Sequence, residues 1–297
     1  MNLYRHLLCP IDFSDASRKA LAWSSRFSSE IGARLTVLHV IDTTLLSVGN
    51  LVAAPDVFTE LRRRAEEGFA PLKNDPGLKH ASFETVEGVP EDVIVKAASE
   101  RASDLVVMGT HGISGFERLF LGSVTEKVLH RCRVPLLTLS PSVDEKRTSQ
   151  SQGTRSVLMA VDLGPESQAV VRHGLGLAEH YQAKPIALHA VARPYVVLNE
   201  SSFEPLGQME VDRLIEALTA TRRKDLLAML PESGGSPIEA IVTVGSPFES
   251  LRGIVAERPV ELVVMGAGDH GEAGIRWLGS TCHKMVRWAP CPVLVVR

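Results

Sequence analysis

A chain of 297 residues is long enough for two domains of ordinary size, each with its own core. A net charge of −3 argues against a general binder of nucleic acid or of a membrane surface, which would carry a basic excess. No apolar run approaches the roughly 18–20 residues of a membrane span. The opening MNLYRHLLCPID lacks a signal-peptide plan, because Asp12 and Ser14 follow a very short apolar run. Cys9, Cys132, Cys282 and Cys291 form no Cys-x-x-Cys pair and no small secreted framework, so they read as reduced thiols of a cytoplasmic protein.

In chain order, the apolar runs at 5–11, 34–41, 82–87, 104–109 and 134–139 read as strands. They are continuous rather than alternating, as expected where both sheet faces are covered. Helical segments lie between them. Residues 15–31 follow Ser14 as N-cap, and 90–101 open with a proline in the first turn. Strands alternating with helices imply parallel pairing with right-handed crossovers, and hence an open doubly wound sheet with a ligand site at the carboxyl ends of its strands. The polar, Ser-rich stretch PSVDEKRTSQSQG (141–153) reads as a linker.

The second half repeats the first. LLCPIDFSDAS (7–17) parallels VLMAVDLGPES (157–167), with Gly164-Pro165-Glu166 in the helix-opening role, and LTVLHV (35–40) parallels PIALHA (185–190). The spacing from Asp12 to His39 equals that from Asp162 to His189, whereas the following stretch up to Gly88 or Gly245 is longer by seven residues in the second half. DLVVMGTHGISGFERLFLGSVT (104–125) parallels ELVVMGAGDHGEAGIRWLGSTC (261–282), with Gly-Ser thirteen residues after the strand's glycine in both. A repeat on this scale means two copies of one folding unit, here 1–140 and 154–297. The short, uncharged last strands LLTL (136–139) and VLVV (293–296) would be exposed edges unless they face each other, which predicts an internal pseudo-dimer.

A buried strand running into a glycine-rich turn and then a helix is an arrangement that holds phosphates. In the first copy, Gly109 and Gly112 would let the backbone turn and approach a ligand. Gly122 and Ser123 would open a helix whose free N–H groups face the same space. Ser123 and Thr125 could donate hydroxyl hydrogen bonds to phosphate, and Asp12, at the end of the first strand, suits ribose hydroxyls. Each piece alone has a plainer reading, as turn, cap or helix-terminal charge; the combination points to a nucleotide.

Gly109-x2-Gly112-x9-Gly122-Ser123, with Asp12 after the first strand, LHV at 38–40 and the terminal VPLLTLS, resembles the ATP-binding pattern of the universal stress protein family, and the two copies resemble its tandem type. The resemblance implies a five-stranded sheet of order 3-2-1-4-5 in each half, of the adenine nucleotide alpha hydrolase-like kind. It implies ATP, ADP or AMP with magnesium, the adenine near the first two strands. Asp12 would contact the nucleoside, Val40 would offer backbone groups to adenine, and Met108 and Gly109 would border the ribose. His111, Gly112, Gly122, Ser123, Val124 and Thr125 would surround the phosphates. A protein partner is not named by any residue, and a homodimer is left open.

The second copy departs from this pattern. The corresponding positions are Asp162, Met265, Gly266, Gly279, Ser280 and Thr281, but Asp269 stands where the first copy has Gly112, and Cys282 replaces Thr125. A carboxylate about 5 Å from phosphate costs on the order of 1–3 kcal/mol at an effective dielectric near 20. Magnesium bridging Asp269 to phosphate, or reshaping at Gly271 and Gly274, would offset it. The reading is an asymmetric protein whose first site works and whose second is degenerate.

Cys282-His283 with Cys291 is a poor metal set, since adjacent ligands do not converge easily. Arg62-Arg63-Arg64, flanked by Glu60, Glu66 and Glu67, reads as a solvated helix face. Segments 43–58 and 192–207 are either lids or pocket walls, or loops packed on the sheet. Functionally, the sequence favours an ATP-binding regulatory protein of stress physiology. The rivals are a slow ATPase or nucleotidyl-transfer enzyme, for which no general base is evident beside the phosphates, and a binding module for a small apolar ligand.

Overall fold

The computed structural model describes residues 3–44, 55–110, 121–143, 155–193, 208–231, 237–268 and 278–297. The chain forms two compact units: unit 1 comprises Met1–Val143 with Ala267–Arg297, and unit 2 comprises Asp144–Gly266.

Unit 1 is built on β1 (His6–Ile11), β2 (Arg34–Asp42), β3 (Ala81–Gly88), β4 (Leu105–Gly109) and β5 (Leu136–Leu139). They lie in the order β3-β2-β1-β4-β5, every neighbouring pair parallel. β1, β4 and β5 are buried along their whole length, whereas β3, at the rim, is only half-buried. That contrast is why the inner strands read as unbroken apolar runs. Its first four helices are α1 (Asp15–Ile31), α2 (Pro55–Lys73), α3 (Pro90–Glu100) and α4 (Ser123–Arg131). Ser14 caps α1 as expected, its hydroxyl oxygen accepting from the Ser17 amide at 3.3 Å, and Gly32 closes that helix in the left-handed region at φ 68°. The two short terminal strands do pair. β10 (Val293–Val296), belonging to unit 1, runs antiparallel on β5 with Leu294 opposite Leu137. Buried hydroxyls tie the two: Thr138 donates to the Val293 carbonyl at 3.2 Å and Ser140 to that of Ala289 at 2.6 Å.

In unit 2, β6 (Ser156–Ala160), β7 (Lys184–Val191), β8 (Glu239–Val244) and β9 (Val260–Gly266) take the order β8-β7-β6-β9, again all parallel. Its helices are α5 (Ser167–His180), α6 (Gln208–Met229) and α7 (Pro247–Glu257). α5 begins later than the repeat suggests, at Ser167 rather than at Pro165, the counterpart of Asp15. Gly164 replaces the capping Ser14, and no side chain caps α5.

Both units leave their first strand through a non-glycine residue in the left-handed region, Phe13 at φ 64° and Leu163 at φ 65°. Such a residue costs of order 1–3 kcal/mol and persists only where its surroundings fix it. For Phe13 those surroundings are aromatic. Its ring lies 4.6 Å from His39 and 5.5 Å from Phe69, and Phe69 lies 5.2 Å from Phe83. Gly68 leaves room for it, since a Cβ there would fall 2.7 Å from the Phe13 ring. α2 is thus clamped over the end of β1. Its outer face carries the basic run in solvated ion pairs, Arg62–Glu87 at 2.7 Å and Arg64–Glu60 at 2.8 Å. Among the described residues no helix is long and apolar enough to cross a membrane. The parts of the segments 43–58 and 192–207 that fall in 45–54 and 194–207 lie outside the described residues.

Phe69 is fully buried at the centre of this clamp. Phe69→Ala is expected to cost about 3–5 kcal/mol of unfolding free energy, read from the urea midpoint; a change within experimental error would show that the cluster does not hold α2.

Candidate functional site

The strand order of unit 1 reverses at β1, whose neighbours are β2 on one side and β4 on the other. A doubly wound sheet opens a crevice at the carboxyl ends of the strands at such a point. Here it holds a cavity of about 390 Å³, within the range of roughly 300–1,000 Å³ usual for small-molecule sites. Asp12, Val40, Met108, Gly109, Gly122, Ser123, Val124 and Thr125 all line it. His111 and Gly112 lie outside the described residues.

Asp12 enters from the end of β1. Its Oδ1 accepts from the Ser14 amide at 3.0 Å and the Ser14 hydroxyl at 2.6 Å, so the same carboxylate organises the start of α1. The β1–β2 ladder ends at Ile11 opposite His39, while β2 runs on to Asp42. Val40 is therefore the first β2 residue with no β1 partner, and it leaves a sheet edge open to the cavity.

Another wall is the first turn of α4. Gly122 is its N-cap and offers no capping side chain, and the ladder begins only with the Glu126 amide donating to the Gly122 carbonyl at 2.9 Å. The amides of Ser123, Val124 and Thr125 thus have no partner among the described residues. Ser123 is exposed at this mouth. The helix start is fixed from behind, since the Gly122 amide donates to the Thr110 carbonyl at 2.7 Å and Thr110 itself hangs on Leu139.

Two expected roles change. The Thr125 hydroxyl donates to the Gly109 carbonyl at 2.8 Å, inside the structure, so its proton is not available to a ligand. Gly109 lines the cavity and serves packing as well. A Cβ there would lie 2.7 Å from the backbone carbon and oxygen of Ala16, so the missing side chain lets α1 lie close on β4.

His39, visible in the sequence as a repeated position within LHV (38–40), lines the cavity with Pro10, Ile11, Leu38, Asp42, Pro90 and Ile94. Its Nδ1–H donates to the Ile11 carbonyl at 2.9 Å, and His189 does the same to Val161 at 2.8 Å. The equal Asp-to-His spacing in both halves was the signal for this bond, which pins the residue before each aspartate. Burial lowers the His39 pKa, with the Ile11 carbonyl and Asp12 opposing, so the ring is held towards its neutral form.

The second-copy residues are divided between the units. In unit 2, Asp162 is exposed, its Oδ1 accepting from the Gly164 amide at 2.8 Å and the Ser167 hydroxyl at 2.7 Å, and Met265 and Gly266 end β9. In unit 1, Gly279 is the N-cap of α8 (Ser280–Trp288), its amide donating to the Ala267 carbonyl at 2.8 Å, and Ser280 and Thr281 form the first turn. Gly268 takes φ 74°, the region that favours glycine; Asp269, Gly271 and Gly274 lie outside the described residues. All four cysteines are buried and none is in a disulfide, and burial pushes the Cys9 thiol up to about 12.

The sequence model of the universal stress protein family matches residues 3–140 and again residues 153–297. The chain belongs to that family. A universal stress protein of Mycolicibacterium smegmatis is 24% identical over 303 residues, spanning 98% of this chain and 96% of the relative. One from Methanocaldococcus jannaschii is 32% identical over 142 residues, 46% of this chain and 83% of that shorter protein. The crystal structure of a universal stress protein from Archaeoglobus fulgidus superposes with a TM-score of 0.68 at 22% identity, covering 98% of both chains, and so shares the fold. The full-length matches fit the tandem organisation of this universal stress protein.

A buried histidine, His173, and a half-buried one, His39, give the protein an acid-side weakness. Burial, then the nearby Arg172, lowers His173 from its ordinary 6.5 to about 4, and His39 moves the same way. The unfolded chain therefore binds more protons than the folded one below pH 6.5, so stability is full above that value and falls on acidification towards pH 4. The urea midpoint should drop between about pH 7.5 and 5, and drop less in His173→Gln. A flat midpoint, or an unchanged slope in the variant, would contradict this.

Proposed function

We propose that the cavity of unit 1 binds an adenine nucleotide, ATP or its di- or monophosphate, and that this universal stress protein acts as a nucleotide-dependent regulatory protein of the stress response. The observation that carries the reading is the uncapped first turn of α4, which sits across one cavity from Asp12 and the open edge of β2. Three amides with no partner among the described residues, at the positive end of a helix, suit phosphate oxygens, and the exposed Ser123 hydroxyl adds a donor. Asp12 offers a carboxylate oxygen to ribose hydroxyls in the same cavity, and the β2 edge at Val40 offers peptide groups to a base. Magnesium would be held by the phosphate oxygens, as it commonly is in such sites.

A route to an output supports the regulatory reading. Phe13 follows Asp12 directly and carries α2 through Gly68 and Phe69. A ligand that shifts the turn after β1 therefore acts on α2, whose charged outer face is open to a partner.

Ser123→Asp tests the site without removing a structural contact. An acidic residue in the first turn suits the helix dipole, so the fold should hold. The added carboxylate opposes phosphate by about 1–3 kcal/mol, so ATP affinity measured by calorimetry on the full chain should fall about tenfold or more. Unchanged affinity, or an unmodified chain that takes up no ATP, ADP or AMP, would refute the reading.

A further inference from the structure

Unit 2 repeats the chain path of unit 1 with one exchange at its crevice. Aligned on Asp12 and Asp162, Ala16 of the first half corresponds to Glu166 of the second. In unit 1 the end of β4 is packed by helix backbone, the carbonyl of Ala16 lying 2.7 Å from where a Cβ on Gly109 would be. In unit 2 a charged group takes that place on β9: a Cβ on Gly266 would lie 2.5 Å from Oε2 of Glu166. β6 and β9 are neighbours, with Ala160 paired to Met265, so Asp162 and Gly266 both lie just past this last rung. The Glu166 carboxylate therefore stands over the final peptide of β9, at the carboxyl ends of the two strands that bound the crevice.

Helix initiation does not account for this side chain. Glu166 occupies the N-cap position of α5 but makes no capping hydrogen bond there. Ser167, its neighbour, already links the helix to Asp162 at 2.7 Å. The exchange instead changes the sign of what the crevice tolerates, since a fixed carboxylate at a strand end disfavours another anion and accepts an uncharged or cationic one.

We propose that Glu166 sets the ligand choice of the second half, closing the β6–β9 crevice of unit 2 to phosphate-bearing ligands. The proposal rests on the nucleotide reading of unit 1 and gives the two halves different ligand classes. It is independent of Asp269, the other acidic substitution in that half of the sequence.

The test uses full-length chains in which Ser123→Asp weakens the first site, so that its isotherm separates from that of the second, and Asp269→Gly restores the glycine of the first copy. In that background, ATP binding is compared by calorimetry for Glu166, Glu166→Ala and Glu166→Gln. Both substitutions are expected to tighten ATP binding at least tenfold over the Glu166 chain. Equal affinity in all three, or no binding by any, would overturn the proposal. Failure of the unit 1 reading shows separately, as absence of ATP binding by the chain with Ser123 intact.

Discussion

Helix α4 begins without a cap, and the unit 1 site follows from that. Three amide groups at its first turn have no described partner, and an unpaired peptide group is tolerated only where water or a ligand reaches it. The strand order puts this helix end at the crevice between β1 and β4, while the Gly122–Thr110 backbone bond and the Thr125–Gly109 hydroxyl bond hold it in place. The rest of the cavity wall then has a defined relation to those amides. Asp12 is fixed through Ser14, Ile11 through His39, and α1 through the close contact at Gly109. Each of these is a short hydrogen bond or packing constraint, and together they hold the α4 amides in a preorganised setting.

The two halves keep one scaffold and differ in a few side chains. Strand order, the left-handed residue after the aspartate and the histidine-to-carbonyl bond are all retained in unit 2. Besides Asp269 and Cys282, changes lie at the start of the first helix. Gly164 removes the cap that Ser14 supplies, the helix starts late, Ser167 takes over the aspartate, and Glu166 brings a carboxylate to β9. Backbone geometry is thus conserved by packing, while the chemistry at the strand ends is set by a few side chains that packing does not constrain.

Much of this was legible in the sequence. The strands were, because burial on both faces leaves uninterrupted apolar runs, and α1 was, because Ser14 is a capping residue placed directly before it. Asp12, Val40 and the Gly122–Thr125 turn were legible because the repeat and the family pattern marked them. Other features depended on contacts between distant segments. Gly109 read as freedom for a ligand, whereas its need for no side chain comes from the backbone of Ala16. Thr125 read as a phosphate donor, whereas its proton goes to Gly109. Glu166 carried no signal, because only the packing of α5 on β9 shows where its carboxylate goes. The delayed start of α5 was hidden for a similar reason: the proline in Gly164-Pro165-Glu166 suggests a helix opening, but nothing in the triplet caps one.

The claim that backbone amides at the head of α4 hold the phosphates is tested most directly by amide NMR during titration with ATP. The account predicts that the N–H resonances of Ser123, Val124 and Thr125 move together and saturate with one nucleotide per chain, while those of Met265 and Gly266 stay in place. ATP binding that leaves the three α4 amides unmoved, or that shifts the unit 2 pair instead, would contradict it.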